Sequence, residues 1–228
     1  MLSTQNLRVS YGMSEVIHGV SFEVGEMETV AIMGRNGMGK TTLFKSLIGM
    51  LDCEGDITLG GEAVAKRQSY ERVKRGLAYV PQGRLVFATL TVEENILAGL
   101  EASGQRTIPG DIYELFPVLQ EMRKRKAGNL SGGQQQQLAI ARALAADPKV
   151  LLLDEPTEGI QPSIIKDLAK TLNEIKQRRK LSIVVSEQVL SFATAIADRM
   201  LVLDKGRIVH EAAGTDIDAK QISRYLTV

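Results

Sequence analysis

Nine consecutive residues, Gly34-Arg35-Asn36-Gly37-Met38-Gly39-Lys40-Thr41-Thr42, have the types and spacing to hold a phosphate. A glycine, four residues, then Gly39-Lys40-Thr41 is P-loop spacing. It follows an apolar run, TVAIM, and opens a stretch with helical apolar spacing, KTTLFKSLIGM. Glycines let backbone N–H groups turn inward around an anion, and the positive end of the following helix faces the same point. Lys40 is placed to reach the β- and γ-phosphates of a nucleotide, and the Thr41 hydroxyl to ligate Mg²⁺. A glycine-rich turn without a ligand is the competing reading, and complete spacing in complete context weighs against it.

A second stretch, VLLLDEP, offers carboxylates. An apolar strand ends in Asp154, suited to reach a metal through a bound water. Alternation along the strand points the next residue, Glu155, to a different face. A carboxylate beside a γ-phosphate can orient the attacking water and accept its proton. A strand that simply ends in a solvated acidic pair is the alternative. A third stretch, LSGGQQQQLAIARAL at 130–144, reads as a helix with Ser131 as N-cap and Gly132 and Gly133 behind it, followed by Gln134. Such a helix mouth can take an anion, although an ordinary capped helix reads the same way.

The elements that must position these residues alternate. LRVSYG and VIHGVSFEV read as strands, TVAIMG as a buried strand and CEGDITLGG as a short one. SYERVKRG reads as a helix ending at Gly76, and LAYVPQG as a strand stopping at Pro81. From Thr91 to Lys126 the pattern is mostly helical and interrupts the alternation, as an inserted lobe would. KVLLLDEP, LSIVVSEQ and MLVLDKGRIVHEA then supply strands, the last a hairpin turning at Lys205-Gly206. PSIIKDLAKTLNEIKQ and VLSFATAIADR supply helices. This order predicts an α/β core with a largely parallel sheet.

Composition narrows the classes. With 28 Lys+Arg against 27 Asp+Glu the net charge is +1, which points away from nucleic acid or an anionic membrane surface as partner. Cys53 is the only cysteine, so no internal disulfide forms; this fits a reducing compartment. The N-terminus lacks the basic and apolar segments of a signal peptide. The longest apolar runs fall far short of the ~20 residues that span a bilayer, so any membrane-spanning part is expected on another chain.

Together GRNGMGKT, LSGGQ and LLLDEP resemble the ATP-binding cassette (ABC) ATPases, in that family's order and separations, over nearly the whole chain. The resemblance implies a P-loop NTPase core with an antiparallel β subdomain and an inserted helical subdomain at about 84–146, all within one domain spanning 1–228. It implies that two cassettes pack head to tail, the LSGGQ of one closing over ATP held by the P-loop of the other. Ser131, Gly132, Gly133 and Gln134 would then face the partner's γ-phosphate. ATP and Mg²⁺ are the implied cofactors. Lys40, Glu155, Gln82 and Gln188 are the implied catalytic set, and Thr41, Gln82 and Asp154 the metal ligands. Tyr11, in VSYG, matches the ring that stacks on adenine, with a core or edge tyrosine as the alternative.

Two positions depart from the family pattern. Gln161 stands where Asp is usual, and Gln188 where His is usual; an amide donates a hydrogen bond but carries no positive charge. His18 and His210 are the only histidines, and neither lies at that position. The EQ pair, YVPQGR, LTVEENI and LLLDEPTEGIQPSII resemble ATPase subunits of branched-chain amino acid importers. LSGGQQQQLAIARAL with TEGIQPSII is most similar to the urea-import branch. The implied partners are two membrane-spanning permease subunits, a second cassette, of the same or more typically a different sequence, and indirectly a solute-binding protein. The implied location is the cytoplasmic face of the inner or plasma membrane. FATLTVEENILAGL is the expected docking surface, unless Phe87, Leu90 and Val92 are merely core. A nucleic-acid or ribosome-linked cassette, and a nucleotide-binding partner without turnover, are the alternatives; the charge balance opposes the first and the Lys40, Asp154 and Glu155 set the second.

Overall fold

The computed structural model of the chain describes residues 1–226, so the last two positions of the expected 1–228 domain lie outside the described residues. The strands and helices run β1 (Leu2–Tyr11), β2 (Ser14–Val24), β3 (Thr29–Met33), α1 (Lys40–Ile48), β4 (Glu54–Leu59), β5 (Glu62–Ala63), α2 (Ser69–Lys74), β6 (Leu77–Val80), α3 (Val92–Ala98), α4 (Gly110–Leu115), α5 (Pro117–Glu121) and α6 (Gly132–Leu144). They continue with β7 (Val150–Asp154), α7 (Pro162–Arg179), β8 (Ser182–Glu187), α8 (Leu190–Ile196), β9 (Arg199–Asp204), β10 (Arg207–Ala213) and α9 (Ala219–Leu226).

Two sheets form. One is antiparallel, in the order β2-β1-β4-β5; the other has the order β10-β9-β3-β8-β7-β6 and is parallel except for β10 at its edge. The expected α/β core is thus present. Its central strands read as unbroken apolar runs because both faces are covered. In β7, Val150 and Leu152 enter one hydrophobic cluster while Leu151 and Leu153 enter the other; β8 and β9 divide in the same way. Full burial of each such side chain contributes roughly 1.5–3 kcal/mol relative to leaving it exposed.

On one face lies α1, between the two sheets, its Leu43, Phe44 and Leu47 fully buried. Gly49 ends α1 in the left-handed conformation. Its last carbonyls are then met by a guanidinium at 2% exposure: Arg72 Nη1 donates to Ser46 O at 2.7 Å and Leu47 O at 2.8 Å, and Nη2 to Ala65 O at 2.7 Å. A buried cation at the negative end of the helix satisfies acceptors that water cannot reach. The sheets also meet at the β9–β10 hairpin, whose turn residues Lys205 and Gly206 have positive φ as a tight two-residue turn requires. Gly206 packs so closely on the Val16 carbonyl that no side chain fits there.

The other face carries α3 to α9. The stretch 91–126 is less helical than expected: α3, α4 and α5 have only 7, 6 and 5 residues. Pro117 forbids continuation of α4, because the preceding residue, Phe116, is pushed out of the α region. Arg179 ties α4 to α7 with a two-pronged grip on Asp111, both bonds 2.7 Å. Within the expected docking stretch Val92 is fully buried, whereas Phe87 is half exposed. Helix α9, absent from the sequence reading, docks through buried Ile222.

Candidate active site

The site assembles where four parallel strands end side by side. Strand β3 runs into the glycine loop, β6 into Pro81-Gln82, β7 into Asp154-Glu155 and β8 into Glu187-Gln188. Ligands of open α/β sheets sit at such carboxyl ends. A cavity of about 200 Å³ opens there, lined among others by Val16, Asn36, Gly39, Thr41, Thr42 and Glu155.

In the loop, Gly37 and Gly39 have φ of 81° and 102°, where a side chain is strained. A Cβ on Gly34 would stand 2.6 Å from Leu203 O. Gly39 is the N-cap of α1, so the free N–H groups of the first turn point into the cavity. Met38 is fixed from behind: its carbonyl accepts from Gly206 N at 3.0 Å. Arg35 and Gly34 lend their carbonyls to Lys40, whose Nζ donates to them at 3.0 and 2.6 Å.

Glu155 is the meeting point. Its Oε1 lies 2.8 Å from Lys40 Nζ, with side-chain exposures of only 9% and 3%. Its Oε2 accepts from Gln82 Nε2 at 3.4 Å and from Gln188 Nε2 at 3.3 Å. Gln188 Nε2 also donates to Asn36 Oδ1 at 2.7 Å. Strand alternation does not set the direction of Glu155. The residue lies beyond β7 with φ of 47°, and this left-handed kink swings its side chain away from that of Asp154.

Asp154 itself is buried, accepting from Ser186 Oγ at 2.6 Å and Tyr79 OH at 3.1 Å. Burial pushes its carboxyl up, while hydrogen bonds with Ser186, Thr41 and Tyr79 oppose that. Burial, reinforced by the neighbouring Asp154, pushes the Tyr79 phenol far above its usual range and keeps it a donor. Among the described residues no group of three His, Cys, Asp or Glu side chains converges as a full metal cage. The donors present are the Thr41 hydroxyl, the Gln82 amide oxygen and Asp154. Such a sparse all-oxygen set fits Mg²⁺ held jointly with a ligand's phosphates.

The remaining sequence-selected residues lie apart. Ser131, Gly132, Gly133 and Gln134 line none of that cavity; they form the N-terminus of α6. There Ser131 Oγ accepts from Gln134 N at 3.3 Å and Gln134 Oε1 accepts from Ser131 N at 2.9 Å. Tyr11 ends β1 half exposed and is not among the residues lining the cavity, whereas Val16, across the hairpin, is. His18 contacts Glu15 and His210 stacks on Tyr225, both away from the cavity. Sequence reasoning missed Ser186, Thr157 and Glu187. Their roles depend on strands that meet only in the fold, although the EQ pair drew attention to the last.

Comparison with known proteins addresses the family and the fold. The sequence profile of the ABC transporter family matches residues 17–158. The high-affinity branched-chain amino acid transport ATP-binding protein BraG of Pseudomonas aeruginosa is 39% identical over 94% of this chain and 93% of its own. The probable branched-chain amino acid transport ATP-binding protein LivF of Archaeoglobus fulgidus is 34% identical over 95% and 94%. The lipopolysaccharide export ATP-binding protein LptB of Haemophilus influenzae is 33% identical over 94% and 90%. A nucleotide-free ATP-binding cassette from an ABC transporter superposes with a TM-score of 0.84 at 27% identity, covering 99% of this chain and 94% of that one.

Proposed function

This chain belongs to the ABC transporter ATPases, and from that premise we propose that it powers uptake of a branched-chain amino acid, with Glu155 as the base for ATP hydrolysis. The solute reading rests on relatives named for branched-chain amino acid transport. The urea reading has only the motifs in 130–165 behind it.

The observation that carries the mechanism is the convergence of Lys40, Gln82 and Gln188 on one Glu155 carboxylate beside the phosphate cradle. In this reading Lys40 holds the β- and γ-phosphates, and the Glu155 carboxylate addresses a water held by Gln82 and Gln188. Glu155 takes a proton from that water as its oxygen bonds to the γ-phosphorus and the bond to the ADP oxygen breaks. Thr41, Gln82 and Asp154 would hold Mg²⁺, which would supply charge neutralisation to the phosphates. In this reading Ser131 and Gly133 face the γ-phosphate of a second cassette, and Tyr11 stacks on adenine.

The chain docks permease subunits through the apolar groove of about 510 Å³ that Ile48, Val73, Pro81, Leu85 and Phe87 line. The lobe at 84–146 moves with that partner, so the chain works at the membrane although no described helix is long and apolar enough to cross one.

Glu155→Gln in the assembled transporter tests the reading. ATP binding should persist, hydrolysis should fall by about 10²–10⁴-fold, and the ATP-loaded cassettes should stay paired on sizing. Undiminished turnover would exclude Glu155 as the base.

A further inference from the structure

Glu187 is the last residue of β8 and 1% exposed, yet no step above uses its carboxylate. Four donors converge on it. Oε1 accepts from Thr157 N at 3.1 Å and Thr157 Oγ1 at 2.6 Å. Oε2 accepts from Gln188 N at 2.9 Å and Val189 N at 3.1 Å. Its own carbonyl accepts from Gly34 N at 3.3 Å, at the root of the phosphate cradle. One side chain thus joins the loop that carries Glu155 to the turn that carries Gln188. Burying an ionised carboxylate is costly, and an apolar side chain would fill the same space without that cost. What a carboxylate adds is direction: two oxygens, each with two lone-pair sites, hold two segments at a fixed separation. Glu155 N already donates to Ser186 O and Oγ, both at 3.1 Å; Glu187 carries that hold on to Thr157 and Val189, around the 3.3 Å contact between Gln188 Nε2 and Glu155 Oε2.

We propose that Glu187 is a positioning residue for hydrolysis, clamping residues 155–157 to residues 188–189 so that Glu155 and Gln188 address the same water. The proposal rests on the reading of Glu155 as the base. Gln188 is a departure noted in the sequence; Glu187 beside it fixes its backbone N–H, while Asn36 and Glu155 take its side-chain amide.

The test measures steady-state ATP hydrolysis by the assembled transporter. Glu187→Gln turns an amide NH₂ either toward the N–H groups of Gln188 and Val189 or toward Thr157 N–H, and in each case loses donors that the carboxylate accepted. Thr157→Val removes the hydroxyl donor at nearly constant volume, and Thr157→Ser restores it. Glu187→Gln and Thr157→Val should each lower kcat by about 10²-fold, the scale of an ångström's misplacement, with KM for ATP little changed. The double variant should be no slower than the slower single one, because both changes break one clamp. Thr157→Ser should recover the rate lost in Thr157→Val. Native kcat in either variant, or a loss of kcat matched by an equal rise in KM, overturns the proposal. Glu155→Gln run alongside separates the two levels. If it retains turnover, the reading of the base fails; if it is inactive while Glu187→Gln is fully active, only the clamp fails.

Discussion

Gln188 occupies a place where an imidazole would titrate near neutral pH, and an amide does not titrate. Neither histidine reaches the cavity, since His18 contacts Glu15 and His210 stacks on Tyr225. The native rate of hydrolysis should therefore show no imidazole limb. Gln188→His should add one near pH 6.5, with KM for ATP falling about threefold on the acid side as a cation joins Lys40. A pH–rate profile from about 5.5 to 8.5 on both proteins checks this. Single residues were legible in proportion to how local their chemistry is. Lys40 and Thr41 lie in a contiguous loop whose spacing can be read directly. The direction of Glu155 could not be, because a left-handed φ replaces strand alternation at that one residue. Ser186 and Thr157 were invisible, since a serine or threonine gains its role only from the strand end that lies beside it.

Elements were legible where one physical signal dominates. The β7 run, buried on both faces, reads as a central strand, and Ser131 reads as an N-cap with Gln134 three residues on. The capping box is present, so Ser131 has a structural duty in the free chain whatever it meets across a dimer. Ser131→Ala should lower unfolding stability by about 1 kcal/mol, measured by urea titration. Ser131→Asp keeps the cap and suits the helix dipole, so it should hold native stability. It also sets a negative charge where a partner's γ-phosphate would arrive, so sizing in ATP should show no stable pair. Short helices were harder to read. The residues from 91 to 126 have helical composition, yet Pro117 and long-range packing cut them into pieces that have no independent stability. Helix α9 escaped notice because its apolar face is little more than Ile222 and Leu226.

At the scale of the whole molecule, the chain is a sheet with a cover on each face, and the groove beside Leu85 and Phe87 lies where the two regions meet. Leu85 is 64% and Phe87 49% exposed, and the Arg142 guanidinium lies 5.0 Å from the Phe87 ring centre with one buried nitrogen unpaired. Phe87→Asp should leave ATP binding unchanged and weaken assembly with the permease subunits at least tenfold, or about 1.4 kcal/mol, read by pull-down titration. The 2.8 Å contact of Lys40 with Glu155 sets a cation suited to phosphate and a carboxylate suited to water within one bond of each other. In the proposed reading a displacement of either side chain is felt by the other, so fuel capture and placement of the base are two sides of one event.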